Sequence, residues 1–150
     1  MIVQASREHI EWIVRHRVEM FRSMARNDQE LDTTSSATEK FLREKWDGEP
    51  ACYLKMEDNM VVGGLAVSYY QMLPSGKNPS GLCAYILNMF VEPEYRKKGI
   101  ATELLEFVIS KCREKGVGKV ALHATEMGWH AYEKAGFSKT ENCMEKYIQE

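Results

Sequence analysis

Apolar positions near the start of the chain follow first a strand pattern and then a helix pattern. Residues 1–5 form a short apolar stretch that predicts a strand. Between Ile10 and Met24, apolar residues recur at intervals of three or four, which places them on one face of a helix. Ser6 stands just ahead of this segment and can cap it. The pattern predicts a strand followed by an amphipathic helix that packs on a sheet.

The next segment is polar. We interpret residues 28–38 as a surface loop or a flexible lid, because few of them can be buried. Ser36 and Glu39 have the spacing of a capping box. A second helix is therefore predicted from Ser36 to about Trp46.

The middle of the chain shows the composition and alternation typical of strands. Strands are predicted at 51–57, 60–70 and 82–91, with a tight turn between the first two. Gly63 and Gly64 interrupt the second strand, which indicates a bulge. The third strand is almost continuously apolar, so it is predicted to lie at the centre of the sheet.

The remainder alternates helices and strands. A helix is predicted from about Gly99 to Lys115, a strand at 119–125, and a short helix at 129–135. The segment 137–148 is predicted to form one or two further strands. The order of elements indicates an α/β (α+β) fold, in which a mixed sheet carries helices on both faces. No linker or repeat divides the chain, so residues 1–150 are predicted to form a single domain.

Length, charge and cysteine spacing narrow the classes of function. A hydrophobic fraction of 44% with 28% charged residues is typical of a globular protein. The net charge of −2 argues against a nucleic-acid partner. The four cysteines form no CxxC pair and the four histidines form no HxxxH pair, so we predict no metal site and expect reduced thiols. With no signal pattern or membrane-length apolar run, we expect a cytoplasmic protein that does not bind membranes.

Three cations directly precede the helix that begins near Gly99. Arg96, Lys97 and Lys98 stand where the helix dipole is already positive, an arrangement that an anion would stabilise. Glycine lets a backbone approach a ligand, and the first amides of a helix have no partner inside it, so the turn can cradle phosphate oxygens. The alternative is a plain turn with a solvated cationic patch. The chain contains neither of the usual nucleotide motifs, GxxxxGK[ST] and GxGxxG.

The same segment resembles a known family. Residues 96–101, RKKGIA, match the (Q/R)xxGx(G/A) motif of the GNAT superfamily of N-acetyltransferases. The preceding NMFVEPEY resembles that family's fourth strand and proline turn, residues 101–124 resemble its next helix and strand, and AYEKAGF resembles its YxxxGF element. The resemblance implies a GNAT-like fold. That fold is a mixed, mostly antiparallel sheet of six to seven strands with helices on both faces and splayed central strands.

The resemblance also implies an acyl-CoA, most simply acetyl-CoA, as the anion and cosubstrate. Its pyrophosphate would lie on the turn and the first helical amides, and its pantetheine arm would pair with the splayed fourth strand. Thr125 stands where the family often has Asn near the end of the fifth strand. The residues implied in cofactor binding are Met89, Phe90 and Val91 on the strand, Arg96, Lys97, Lys98, Gly99, Ile100, Ala101 and Thr102 at the turn, and Thr125.

Two residues are candidates for proton transfer. Tyr132 matches the tyrosine of the YxxxGF element, which implies a general acid that protonates the departing thiolate; the alternative is a buried core aromatic of a short helix. His123 is a candidate base, because an imidazole accepts a proton near neutral pH and alternation places it on the strand face of Thr125. A histidine bonded only to backbone, Glu126 or Tyr85 as the base, and a chain of water molecules remain alternatives.

The acceptor is expected between the first two helices and the splayed strands. The sequence does not distinguish a small-molecule amine from a peptide amine, and the charge balance favours neither. Candidates for lining this space are Arg17, Arg22, Trp46 and Tyr70.

These inferences lead to one enzymatic prediction. We expect an N-acetyltransferase that moves the acetyl group of acetyl-CoA to an amine by direct attack within a ternary complex. The alternative is a non-catalytic domain that binds acyl-CoA as a sensor or interaction module, and a nucleotide-binding module is a third reading. The expected partner is a small-molecule or peptide amine, with no nucleic acid, membrane or metal. Because members of the family often dimerise through edge strands, a homodimer stays open.

Overall fold

The computed structural model describes residues 1–140 and 142–148. Single 3₁₀ turns precede the first and third helices, at Arg7–His9 and Pro93–Tyr95. The other elements are β1 Ile2–Gln4, α1 Ile10–Ser23, α2 Asp28–Glu44, β2 Ala51–Glu57, β3 Met60–Gln71, β4 Leu82–Val91, α3 Ile100–Glu114, β5 Lys119–Leu122 and α4 Trp129–Lys134.

One mixed sheet joins the five strands in the order β1-β2-β3-β4-β5. Neighbouring strands are antiparallel except β4 and β5, which are parallel. The predicted fold class is confirmed, but the predicted count of six to seven strands is wrong for the described chain. The difference lies at 137–148, whose described residues form no strand; Glu141 lies outside them. Phe137 packs against the α3 and α4 core, but the apolar side chains further along this segment are exposed and bury no face that would order a strand, namely Met144, Tyr147 and Ile148.

Helices cover both faces of the sheet and create two cores. α3 and α4 pack on one face, where Leu104 and Leu105 are fully buried. α1 and α2 pack on the other face, where Ile13 contributes to the second core. Because side chains alternate along a strand, β4 serves both cores, with Ile86 in the first and Leu87 against the second.

The second helix begins earlier than the sequence pattern predicts. The Asn27 side chain accepts a hydrogen bond from the Glu30 amide at 2.8 Å and caps α2. Asp28 and Glu30 add negative charge to the first turn, where the helix dipole favours it. The predicted start at Ser36 is wrong because this upstream cap precedes it. Residues 28–38 are therefore helical rather than a loop or a lid.

β4 carries a bulge at the point where the sheet opens. Its register against β3 shifts next to Gly64, and the extra residue lies on β4. The bulge predicted at Gly63 and Gly64 lies on β3 itself, where the register against β2 shifts beside Gly63. Asn88 has a φ of 59°, a left-handed conformation that asparagine tolerates better than most residues. β5 pairs with β4 only as far as Ile86 and Leu122. Beyond that pair, β4 runs on to Val91 with no described strand on its β5 side, so the splayed central strands are confirmed.

Candidate active site

The turn between β4 and α3 presents a row of unpaired backbone amides. α3 begins at Ile100, so its first amides have no acceptor inside the helix. Lys97 and Gly99 have φ angles of 64° and 82°, and left-handed residues in such a turn curl successive amides towards one point. Within the described chain, no backbone carbonyl bonds the amides of residues 97–102. These residues form a concave donor surface, the amide cradle, whose chemistry suits a phosphate group.

The side chains at the start of α3 leave the cradle open. A Cβ at Gly99 would have no atom within 4 Å, so this glycine supplies the positive φ and adds no bulk in front of the amides. Ile100 is only 4% exposed and packs in the α3 and α4 core, so its amide rather than its side chain faces a ligand. Ala101 and Thr102 are half-buried.

The three predicted cations differ in where they point. Arg96 donates from Nε to the Val91 carbonyl at 2.9 Å, and its guanidinium lies 5.2 Å from the centroid of the Phe90 ring. Arg96 therefore braces the turn against β4. Lys97 and Lys98 are exposed and are better placed to attract an anion to the cradle.

The three predicted pantetheine residues on β4 are buried, but their backbones face different ways. The Glu92 amide donates to the Val62 carbonyl of β3 at 2.9 Å. Because backbone groups alternate along an antiparallel strand, those of Phe90 also face β3, whereas those of Val91 face the open edge. Met89 lies in the bulge, opposite the register shift. The Val91 amide is thus the backbone donor best placed for a ligand along this edge.

Tyr132 lies under α4 with its hydroxyl beside Thr125. Its side chain is buried, and its ring meets Phe137 edge-on with centroids 6.2 Å apart. Burial raises the pKa of Tyr132 to about 12, and a hydrogen bond with Thr125 partly opposes this rise. The Thr125 hydroxyl oxygen also accepts from the Gly128 amide at 3.3 Å. The phenol is therefore protonated at neutral pH, as a donor must be, and Thr125 contacts both the phenol and the start of its helix.

The candidate base lies just beyond the sheet. β5 ends at Leu122, earlier than predicted, so strand alternation does not relate His123 to Thr125, and the two have different partners. The Nδ1 of His123 shares a hydrogen bond with the Tyr85 hydroxyl. Its Nε2 lies 3.6 Å from Oε2 of Glu145, and the imidazole is exposed. Two of the alternative bases suggested by the sequence thus form one pair.

The sequence analysis missed a partly buried ionic cluster that joins α1 to the end of β4. Arg15 donates two hydrogen bonds to the Glu92 carboxylate, at 3.2 Å and 2.8 Å. Nε2 of His16 lies 3.3 Å from the same carboxylate but is too poorly aligned for a hydrogen bond. Burial lowers the pKa of His16 to about 4, so the imidazole is neutral. Burial pushes the pKa of Glu92 up, but its bonds to Arg15 outweigh this and leave it below the ordinary value.

A cleft of ≈ 330 Å³ lies between α1, α2 and the sheet. Apolar side chains form most of its wall, and Arg17, Thr38 and Asn88 are the polar residues that line it. The cleft belongs to the α1 and α2 side, whereas Tyr132 belongs to the core of the α3 and α4 side. β4 separates the two sides and is bulged at Asn88. Of the four residues predicted to line the acceptor space, Arg17 alone lines this cleft.

Other classes of site find no support in the described residues. They contain no group of three or more His, Cys, Asp or Glu side chains placed to hold a metal ion. None of their helices combines the length and the apolar character needed to cross a membrane. All four cysteines carry free thiols.

A comparison with known protein families identifies the family of this chain. The sequence matches the profile of the Acetyltransferase (GNAT) family over residues 17–137. Since this match spans most of the 150 residues, the chain belongs to the GNAT acetyltransferase family. A search of curated proteins found no match.

Solved structures share this fold over nearly the whole chain. A GCN5-related N-acetyltransferase from Ralstonia eutropha has a TM-score of 0.89 and 28% identity, covering 99% of this chain and 97% of the other. A predicted acetyltransferase from Clostridium acetobutylicum, solved with acetyl-CoA, has a TM-score of 0.83 and 24% identity over 98% and 95%. Glucosamine-6-phosphate N-acetyltransferase from Arabidopsis thaliana has a TM-score of 0.66 and 18% identity over 99% and 98%.

Proposed function

We propose that this protein is an N-acetyltransferase that uses acetyl-CoA and a primary amine in a ternary complex. The observation that carries the proposal is the amide cradle of residues 97–102, adjacent to the open edge of β4. A pyrophosphate needs several donors at one point, and a pantetheine arm needs an unpaired strand edge, so the two features together suit CoA better than a simple anion. The similar fold solved with acetyl-CoA supports the same cosubstrate.

The chain's residues divide the binding of CoA between them. The cradle amides would hold the pyrophosphate, and Lys97 and Lys98 would add charge around it. The Val91 amide would hold the pantetheine arm or stabilise the oxyanion that forms as the amine attacks, since it faces the open edge. When bound, acetyl-CoA supplies an activated acetyl group as a thioester.

Tyr132 acts as a hydrogen-bond donor to the leaving sulfur. Its pKa is raised to about 12 by burial, whereas an ordinary thiol has a pKa of about 8.5. Complete proton transfer from the phenol to the thiolate would therefore be uphill by about 5 kcal/mol. We infer that Tyr132 stabilises the negative charge on sulfur as the carbon–sulfur bond breaks, and that solvent completes the protonation.

The base is assigned from the contact between His123 and Tyr85 and from the proximity of Tyr85 to the cleft. An amine with a pKa of about 10.4 is almost fully protonated at pH 7, so it must lose a proton before it attacks. His123 and Tyr85 form a hydrogen-bonded pair, and Tyr85 is close enough to Arg17 of the cleft to affect its pKa. We assign this pair, directly or through water, as the route by which the proton leaves the acceptor side.

The decisive experiment is an acceptor screen that follows release of free thiol from acetyl-CoA. Turnover with at least one class of amine, together with the acetylated amine by mass spectrometry, is the expected result. Binding of CoA without turnover of any amine class would instead favour a sensor or interaction module. Absence of CoA binding would reject both.

A further inference from the structure

Arg17 is an arginine of α1 without a countercharge. Its neighbours on the same helix have one: Arg15 pairs with Glu92 at 2.8 Å, and Arg22 lies 3.4 Å from Glu19. In the described chain the Arg17 side chain makes no ion pair or hydrogen bond. It is half-buried, and burial lowers its pKa with no carboxylate to oppose the effect. A half-buried cation of this kind lacks the partner that usually compensates for desolvation.

The surroundings of Arg17 leave its donors available to a ligand. The guanidinium carbon lies 4.8 Å from the centroid of the Phe21 ring, so one face of the group is occupied. The N–H donors lie in the plane of a guanidinium, and that fork matches the two oxygens of a carboxylate. Because Arg17 lines the cleft, a carboxylate held there would belong to a molecule in the cleft.

The Asn88 side chain is a second polar group of the cleft, and only one of its two polar atoms makes a hydrogen bond. Asn88 is 6% exposed; its Nδ2 donates to the Ile13 carbonyl at 3.3 Å, while its Oδ1 is buried and has no donor. A buried carbonyl oxygen without a donor is costly, and an N–H of a bound amine would satisfy it. Ile13 lies one helical turn before Arg17, a rise of about 6 Å along α1. The Asn88 oxygen, which has no donor, and the Arg17 guanidinium, which has no carboxylate partner, thus line one cleft about one helical turn apart.

The rest of the cleft favours a ligand whose side chain is small and apolar. Ile13, Phe41, Leu42 and Leu87 contribute apolar wall, and the volume of ≈ 330 Å³ is near the lower end of ordinary ligand pockets. Burial of apolar ligand surface there is favourable, whereas a charged side chain would find no further partner among the cleft's described residues.

We propose that the acceptor is a small apolar α-amino acid, whose carboxylate binds Arg17, whose amine donates to Asn88 and whose side chain fills the cleft. This inference rests on the proposed acetyl transfer and names its acceptor class. In the reaction, the lone pair of the amine nitrogen forms a bond to the thioester carbonyl carbon and the carbon–sulfur bond breaks. The bonding pair leaves on sulfur, and the nitrogen loses a proton, so the products are the N-acetyl amino acid and CoA.

The first experiment compares acceptors that differ only in the carboxylate. L-Leucine, L-leucinamide and 3-methylbutylamine are each titrated into the CoA-loaded protein by calorimetry, and each is then assayed with acetyl-CoA. The expected result is that L-leucine binds and reacts about 10- to 100-fold better than the other two, the range for a hydrogen-bonded charge pair. A leucine-initiated pentapeptide is included, because its carboxylate lies far from its amine.

Variants assign the preference to residues. Arg17→Gln should raise KM for L-leucine by about 10- to 100-fold and leave KM for 3-methylbutylamine nearly unchanged, which also verifies that the variant folds. Arg22→Gln, on the same helix but outside the cleft, should change neither. Asn88→Gly keeps the left-handed backbone and removes the acceptor, so it should raise KM for all amines alike.

The outcomes separate this inference from the proposed function. Thiol release that is as fast with 3-methylbutylamine as with L-leucine would overturn the carboxylate assignment and leave the acetyltransferase intact. A preference for the pentapeptide would replace the free amino acid by a peptide N-terminus and equally overturn it. Binding of L-leucine that depends on Arg17, without any thiol release, would support the cleft assignment and reject acetyl transfer. Absence of L-leucine binding would reject the inference outright.

Discussion

The ring of Tyr132 lies directly against the backbone of Gly128. A Cβ on Gly128 would come within 2.7 Å of two ring carbons and within 2.8 Å of the hydroxyl oxygen. The φ of Gly128 is −94°, which any residue can adopt, so glycine is needed here for space rather than for backbone freedom. The position of the Tyr132 phenol therefore depends on the lack of a side chain at Gly128, the residue directly before α4.

Gly128→Ala should displace the Tyr132 hydroxyl and lower kcat while CoA affinity stays nearly unchanged. The added methyl overpacks a buried contact, which typically costs about 1–3 kcal/mol of stability. Gly76→Ala is the matched control, because a Cβ at Gly76 has no atom within 4 Å. A double variant that also carries Tyr132→Phe should lose little further activity, since both changes act on one hydroxyl. Fully additive losses would show that Gly128 acts elsewhere.

Tyr132→Phe should lower kcat and leave acetyl-CoA binding almost intact. The change removes a donor that matters only once the carbon–sulfur bond begins to break, and the expected loss is about 10- to 100-fold, the range for a hydrogen bond to a charged group. A thioester with a more acidic thiol should show a smaller loss, because its thiolate needs less stabilisation. The measurement is steady-state kinetics with both thioesters under conditions where chemistry limits the rate. An unchanged kcat would exclude Tyr132 from the reaction, and a collapse of stability would identify its hydroxyl as a structural partner of Thr125.

His16 should make the protein less stable as the pH falls below about 6.5. Its pKa is lowered to about 4 by burial, whereas the unfolded chain protonates it near pH 6.5. Between these values the unfolded state binds more protons, so the free energy of unfolding falls as pH falls, by about 2 kcal/mol between pH 7 and pH 5. The lowered pKa of Glu92 acts in the same direction, but only below its ordinary value of 4.5.

Urea unfolding at pH 7 and pH 5 measures this difference. His16→Gln removes the titrating group, so its unfolding free energy should lose most of the dependence on pH in this window. His130→Gln, which changes an exposed histidine of α4, should retain the parent's dependence. An equal loss in both variants would mean that His16 is not the group responsible.

The elements that the sequence predicts well are those whose signal is local. The apolar run of β4 and the glycine before α3 lie within one short segment, and both have the predicted bounds, although β4 is the fourth of the five described strands rather than the central one. The predicted start of α2 at Ser36 is wrong because Asn27 caps the helix upstream by accepting from the Glu30 amide, which leaves the capping-box pattern at Ser36 inside the helix. The strands predicted at 137–148 do not form in the described residues, because an apolar pattern orders a strand only when one face is buried.

The site is only partly accessible to sequence reasoning. The amide cradle follows from one contiguous motif, but the acceptor cleft unites Arg17 of α1 with Asn88 of β4, and no spacing rule connects them. The link between His16 and Glu92 is of the same kind. Its signal in the sequence is weak: a histidine on the apolar face of α1 and a carboxylate directly after a buried strand. Whether His16 of α1 meets Glu92 depends on how α1 packs across the bulge of β4.

Gly99→Val should weaken CoA binding far more than it weakens the fold. Gly99 has a φ of 82° and its absent Cβ faces open space, so a branched side chain would be strained and would project in front of the cradle amides. Gly116→Val is the matched control at the other end of α3. Gly116 has a φ of 78° and equally open surroundings, and it therefore carries the same backbone strain away from the cradle.

Both variants should lose similar stability, about 1–2 kcal/mol for a left-handed residue with a side chain. Calorimetry should show at least about a tenfold loss of CoA affinity in Gly99→Val alone, since several amide bonds to an ionised phosphate are disturbed together. The parent protein should gain about 2.7 kcal/mol of unfolding free energy from CoA at 100 times its Kd, and less from ATP at the same concentration, because ATP has no arm for the β4 edge. Equal CoA affinity in the two variants would mean that the cradle lies elsewhere. Equal stabilisation by ATP would mean that the open edge of β4 contributes nothing to the ligand.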